Sequence, residues 1–367
     1  MAFTVPEQLL SPIRENPDDD APRLILADWL EEHPYPAYSA WGEFIRLQCA
    51  SAKLENPSPE ILRRENDLLN EFQSVWFPCP LQILAPYTKR TLEEASLEIA
   101  SSRWFSLKFQ RGFIEECLLK AKGEAISKLF EYADYSSSLD SLFTLSSQTW
   151  RAWWKVPCLA GIKRLSFRLF YNPFDVLKTL ADIPEARSLE AVDLANELRT
   201  ETGPYSVGYQ VFQTIADSPY LNKLSLLSID PSLLADVHYR LKYIFDSTLL
   251  DKVKFLRFTP YRFFEGHLYD TDIEWMMRHP RSGLIQGLDV SDNALTNKGV
   301  FALCQSKHFN TVQYLDLSSN KFDSTAAEAL ITSPNFSHLK ELNLTKNPLS
   351  PQAKSSLIQR FGKKVKF

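Results

Sequence analysis

The 367-residue chain balances 41 Lys and Arg against 45 Asp and Glu, a formal net charge of −4, and is 44% hydrophobic and 13% aromatic. That composition supplies a packed core and excludes a disordered chain, and it lacks the basic excess typical of nucleic-acid-binding domains. Five cysteines (Cys49, Cys79, Cys117, Cys158 and Cys304) form no CxxC pair, so the expectation is reduced thiols in a cytoplasmic protein, not a disulfide framework or a zinc knuckle.

At the N-terminus, MAFTVPEQLLSPIRENPDDD has no basic leader and no long apolar stretch, so no signal peptide is expected. Nor does any run of about 18 apolar residues predict a membrane span. Helix signals begin in DDDAPRLILADWLEE, with Asp20 as N-cap, Pro22 in the first turn and Leu24, Ile25 and Leu30 along one face. The acidic run Asp18–Asp20 reads as capping and dipole complementarity, not as a metal site. After the loop HPYPAYSA, WGEFIRLQCASAKLE predicts a second helix and Ser58–Ser74 a third. Prolines from Pro78 to Pro86 break the chain before a fourth, near Leu92–Ala100. Trp29, Phe44, Ile45 and Leu47 are expected as the core of this module, with Asp28 paired to Arg46 across two helices. Residues 1–103 then form a helical cap of the kind that repeat arrays need over an apolar end; a role for its surface in docking a partner is the alternative.

Residues 104–367 are organised by a repeat. Three segments fit LxxLxLxxNxL: IQGLDVSDNAL from Ile285, VQYLDLSSNKF from Val312 and LKELNLTKNPL from Leu339. Their asparagines, Asn293, Asn320 and Asn347, are 27 residues apart. In the same register the second leucine position is taken by Leu165, Val192, Leu224, Leu256, Leu288, Leu315 and Leu342, with weaker copies at Cys117 and Leu142. The earlier copies carry Glu197, Ile229 and Tyr261 at the asparagine position, so repeats up to about 280 are expected to be irregular and those of 285–367 regular. Alternate residues of LxxLxL enter the core of a short parallel strand while the others face out. The asparagine amide is suited to satisfy turn backbone that would otherwise be buried unpaired. Helices should follow at TNKGVFALCQS, DSTAAEALITS and SPQAKSSLIQRF, each opened by an N-cap residue. The closing GKKVKF predicts a last strand with Val365 and Phe367 inward and lysines on the edge, which caps the array.

The fold class expected is therefore α/β, a leucine-rich-repeat solenoid with strands on the concave face, helices on the convex face and an N-terminal helical module. DDDAPRLILADWLEE, GEFIRLQ, RGFIEE at 111–116 and the ending RFGKKVKF resemble the bacterial repeat-companion domain proteins. In that family a helical module precedes leucine-rich repeats of the ribonuclease-inhibitor type. The resemblance implies this architecture and protein binding; it supplies no catalytic residue.

Enzyme signatures are missing: no GxxxxGK[ST], GxGxxG, GxSxG or HExxH occurs, and the six histidines show no ligand spacing. His267, Asp270 and Asp272 read as a solvated loop. No cofactor or metal is expected. The functional expectation is a non-enzymatic adaptor that binds a protein partner through the concave face. Its predicted site is Arg164, Arg168, Lys223, Phe255, Arg257, Asp289, Tyr314, Asp316 and Glu341, basic at one end, acidic at the other and anchored by the two aromatics. The alternatives are a regulatory subunit or substrate of a separately encoded enzyme, and nucleic-acid binding through the basic end.

Overall fold

The structure, a computed structural model, describes residues 5–16, 18–76, 105–111, 113–120, 160–168, 173–195, 209–231, 234, 241–260 and 267–367. By compactness the chain divides into two units, Met1–Glu190 and Ala191–Phe367. The expected helix at 92–100 and the weak repeat copy at Leu142 lie outside the described residues.

In the first unit, helices α1 (Glu7–Glu15), α2 (Asp20–Glu31), α3 (Pro36–Ser51) and α4 (Pro59–Trp76) pack each on the next. The sequence reading had not anticipated α1. The cap of α2 is Asp19, whose carboxylate accepts the Ala21 amide at 2.9 Å, and not Asp20. That one-residue shift also rotates the buried stripe, which is Arg23, Leu26, Ala27 and Leu30; Ile25 is 59% exposed. Three consecutive apolar residues, Leu24 to Leu26, leave the face undecided until the cap fixes the start of the helix. α2 and α3 approach closely at Gly42, where a Cβ would stand 2.9 Å from the Ala27 carbonyl oxygen. Phe44 and Ile45 are fully buried as expected, and Trp76 stacks on Phe44 while its indole N–H donates to the Ala37 carbonyl at 2.7 Å.

Three strands follow: β1 (Phe105–Gln110), β2 (Phe113–Lys120) and β3 (Arg164–Arg168), then helix α5 (Pro173–Asp182). β1 and β2 are antiparallel, and β2 pairs in parallel with β3, setting Cys117 opposite Leu165. The helices are fastened to this sheet by both apolar and ionic contacts. Trp41 and the Arg23 guanidinium pack on the Phe113 ring at 5.4 and 5.3 Å. Asp18 accepts from Lys163 Nζ at 2.6 Å and from Arg111 at 3.3 Å, and Asp20 forms an ion pair with Arg111. These cations hold the Asp18 carboxyl below its ordinary range. The acidic run is therefore a cap and a clasp.

The second unit alternates β4 (Ala191–Ala195), α6 (Tyr209–Asp217), β5 (Leu226–Ile229), α7 (Lys242–Asp246), β6 (Phe255–Phe258), α8 (Asp270–Arg278), β7 (Gly287–Asp289), α9 (Asn297–Gln305), β8 (Tyr314–Asp316), α10 (Ser324–Thr332), β9 (Glu341–Asn343), α11 (Pro351–Phe361) and β10 (Val365–Lys366). Each strand pairs in parallel with the next, and α8 to α11 stack side by side. This is the α/β architecture of a leucine-rich-repeat solenoid. Val192, Leu227, Leu256, Leu288, Leu315, Leu342 and Val365 share one register row. The expected Leu224 is thus replaced by Leu227. In LNKLSLLSI both Leu221-Leu224-Leu226 and Leu224-Leu227-Ile229 satisfy LxxLxL, and the pairing selects the second. The helix starts are as read: Thr296, Asp323 and Ser350 cap α9, α10 and α11.

The repeat asparagines form a buried ladder. Asn293 donates to the Phe258 and Ser291 carbonyls and accepts from the Leu268 amide. Asn320 donates to Val290, Leu317 and Ser318 and accepts from Leu295. Asn347 donates to Leu317 and Leu344 and accepts from the Asn320 amide. Immediately before each stands a residue in left-handed backbone: Asp292, Ser319 and Lys346, with φ of 54°, 54° and 57°. Such a conformation costs a non-glycine residue about 1–2 kcal/mol, which the ladder offsets.

A second ladder, unforeseen in the sequence, closes the other end of helices α6 to α10. Ser218, Ser247, Ser306 and Ser333 each accept backbone amides two or three residues ahead, and His279 Nδ1 takes the same place for Arg281. Ser306 and Ser333 also donate to Met277 and Cys304 carbonyls of the preceding repeat. Every one of these positions lies nine residues before the register residue of the following strand: 218 before 227, 247 before 256, 279 before 288, 306 before 315, 333 before 342. That fixed offset is the signal that would have chosen Leu227.

Candidate partner-binding face

The outward residues of β6 to β9 lie in two rows. One holds Phe255, Gly287, Tyr314 and Glu341, in register on neighbouring strands; the other holds Arg257, Asp289, Asp316 and Asn343. Because side chains two apart on a strand share a face, Tyr314 and Asp316 point the same way. Gly287 opens the first row: a Cβ there would fall 2.1 Å from Phe255 Cδ1, so the ring lies over bare backbone. Across it the Phe255 and Tyr314 rings stand 5.6 Å apart, tilted by 45°. Tyr314 is 38% exposed, and Lys340 Nζ sits 5.8 Å from its ring centre.

The second row is tied down by its own hydrogen bonds. Asp289, Asp316 and Asn343 each use Oδ1 to accept the amide two residues on, from Ser291, Ser318 and Thr345, at 3.0, 2.9 and 3.2 Å. The remaining oxygens reach sideways: Asp289 Oδ2 accepts from Arg257 Nε and Asp316 Oδ2 from Asn343 Nδ2, both at 2.8 Å. Glu341 meets Lys366 at 2.5 Å.

Six of the nine expected site residues therefore come together: Phe255, Arg257, Asp289, Tyr314, Asp316 and Glu341. Lys223 does not, because the register of β5 leaves it exposed in the turn before the strand, and Leu226 takes its row. Lys254 turns its ammonium to the Leu250 carbonyl, and Arg257 is paired to Asp289. The basic half of the expected gradient is thus reduced, and the face of β6–β9 is an aromatic pair beside carboxylates. Arg164 is exposed on β3 and Arg168 sits at its end, in the other unit; the Arg168 side chain lies outside the described residues.

Asp270 and Asp272, read from the sequence as part of a solvated loop, are instead bonded into the fold. Asp270 accepts from the Thr296 amide and hydroxyl and from the Gly299 amide, joining α8 to the start of α9; Asp272 accepts from Tyr269 N to cap α8. Arg46 bonds Asp28 and Glu31, and Arg64 bonds Glu43. Burial pushes the Cys49 and Cys304 thiols up to about 12, far from a nucleophile's range. Among the described residues no group of three or more His, Cys, Asp or Glu is placed to hold a metal ion, and no helix is long and apolar enough to cross a membrane.

No curated protein matches the chain. A family model described as Leucine Rich repeat matches residues 285–304 and 309–330, which hold β7, β8 and most of α9 and α10. By sequence model and by geometry alike, these segments are leucine-rich repeats, a kind of repeat that generally mediates contacts between proteins.

Proposed function

We propose that this chain is a non-enzymatic adaptor of the cytoplasm that holds a protein partner on the strand face of β6–β9. The helical segment at the N-terminus, which we divide from the repeats at 103/104, serves on this reading as the cap of a repeat-companion architecture. The observation that carries the proposal is the Phe255–Tyr314 pair. Two aromatic rings lie side by side on an outward row, with Tyr314 38% exposed. Such a pair contributes about 0.5–1.5 kcal/mol to the fold by itself, and exposed aromatic and arginine side chains are also the usual energetic centres of interfaces. Ion pairs at the margin, Arg257–Asp289 and Glu341–Lys366, supply the polar rim.

The test is capture of the partner on the tagged full chain beside the Arg257→Ala/Tyr314→Ala variant. Both residues are surface groups, so the variant should melt within a few degrees of the parent while partner recovery falls at least about tenfold. Undiminished recovery on a folded variant would move the site away from this face.

A further inference from the structure

We propose that the β6–β9 face reads an arginine of its protein partner, the guanidinium seated against Asp289 and Asp316 and the side-chain stem lying along Tyr314 and Phe255. The inference rests on the reading of this face as the partner site and adds the chemistry of the residue it takes.

Asp289 and Asp316 are opposite one another on adjacent parallel strands. Like charges so placed, about 5 Å apart, oppose strand pairing. The turn chemistry explains a side-chain oxygen at these positions but not a charge. Asn343, next in the same row, accepts the Thr345 amide with a neutral amide group just as the two aspartates accept Ser291 and Ser318. The negative charges therefore exceed what the fold uses. Asp289 is neutralised in part by Arg257, but Asp316 has only neutral donors, the Asn343 amide and the Ser318 amide and hydroxyl, and no ion pair to a cation among the described residues.

The protein's own cations already make each half of the contact separately. Arg257 places a guanidinium nitrogen 2.8 Å from Asp289 Oδ2, and Lys340 holds its ammonium 5.8 Å from the Tyr314 ring centre. An incoming side chain that combines the two needs a flat cation able to stack on a ring and fork between two carboxylates. Arginine meets both demands, whereas the ammonium of lysine is a compact, strongly hydrated point charge. Gly287 leaves the room over its backbone that the Phe255 ring takes up, and so sets that ring beside Tyr314.

The probe is acetyl-Leu-Arg-Leu-amide, titrated into the full chain with binding followed by NMR shifts of the Leu288 and Leu315 methyl groups. Saturable shifts are expected, weakened about three- to fivefold when citrulline or lysine replaces arginine in the probe. A similar loss is expected in Asp289→Asn/Asp316→Asn, whose melting temperature stays near that of the parent because asparagine serves the same turn at 343. The single variant Asp316→Asn provides the comparison if the double variant does not fold. Absence of saturable shifts, equal binding of the citrulline or lysine probe, or full binding to the asparagine variants overturns the proposal. If a captured partner is lost with Arg257→Ala/Tyr314→Ala while these probes show no preference, the face stands and the arginine assignment falls. If the partner is retained, both fall.

Discussion

The second unit holds two kinds of repeat, and they differ at one end only. In 285–367 the turn after each strand is pinned by Asn293, Asn320 or Asn347, and the spacing is 27 residues. Between β4 and β7 the register rows are 35, 29 and 32 residues apart, at 192, 227, 256 and 288, and no asparagine occupies the matching position. Yet the turn that leads from helix to strand is built alike for β5 to β9, from Ser218, Ser247, His279, Ser306 and Ser333, each nine residues before the register row. All the variation in length falls between the strand and the helix end. One turn carries the register, and the other is free to lengthen, which loop-closure entropy tolerates because it rises only slowly with length.

Removing the asparagine ladder should expose this difference most strongly. Asn320→Ala leaves the Leu295 amide and the Val290, Leu317 and Ser318 carbonyls without their partner, and should cost about 2–4 kcal/mol in denaturant unfolding. A loss below about 0.5 kcal/mol would mean that the strand-side turn does not depend on its asparagine. Ser247→Ala and Ser306→Ala, one from each region, should cost about 1 kcal/mol each and nearly equally. Unequal losses would break the claim of a common descending turn.

The smallest effect concerns His279, which stands where the other repeats have serine. Burial lowers its pKa, and its Nδ1 must be unprotonated to accept the Arg281 amide. A histidine whose folded pKa lies below its unfolded value near 6.5 adds stability that is fully present above that value and declines as pH falls through the folded pKa. Asp246, whose carboxylate lies 3.8 Å from Nε2, works in the opposite sense but does not overcome the burial. Melting temperatures at pH 7.5 and 5.5 should therefore fall further for the parent than for His279→Ser. Equal falls would show that the ring is not held neutral.

Local chemistry was legible wherever one residue's own bonding decides the outcome. Asparagine at a left-handed turn, Thr296, Asp323 and Ser350 at helix starts, and Ser350-Pro351 in particular, announce themselves because their roles involve backbone within a few residues. The pairing of Arg46 with Asp28 was legible for a related reason, two helices joined by a short loop. That Phe255 and Tyr314 share one outward row also followed, from register alone. By contrast, the sequence set the face of α2 one position off and chose Leu224 over Leu227, since runs such as LIL and LSLLSI satisfy more than one phase.

What the sequence determined by itself was the repeat, its strand–helix alternation and the polar groups that close its turns, because a period and a cap are properties of the chain. What only the tertiary structure decided was which phase of an apolar run each strand adopts, and which charges remain over once neighbours are satisfied. Arg257 spends its charge on Asp289 and Lys254 on a backbone carbonyl, while Asp316 keeps its own. Those outcomes depend on residues about 30 positions apart being set side by side by strand pairing, a distance at which residue type no longer specifies a partner.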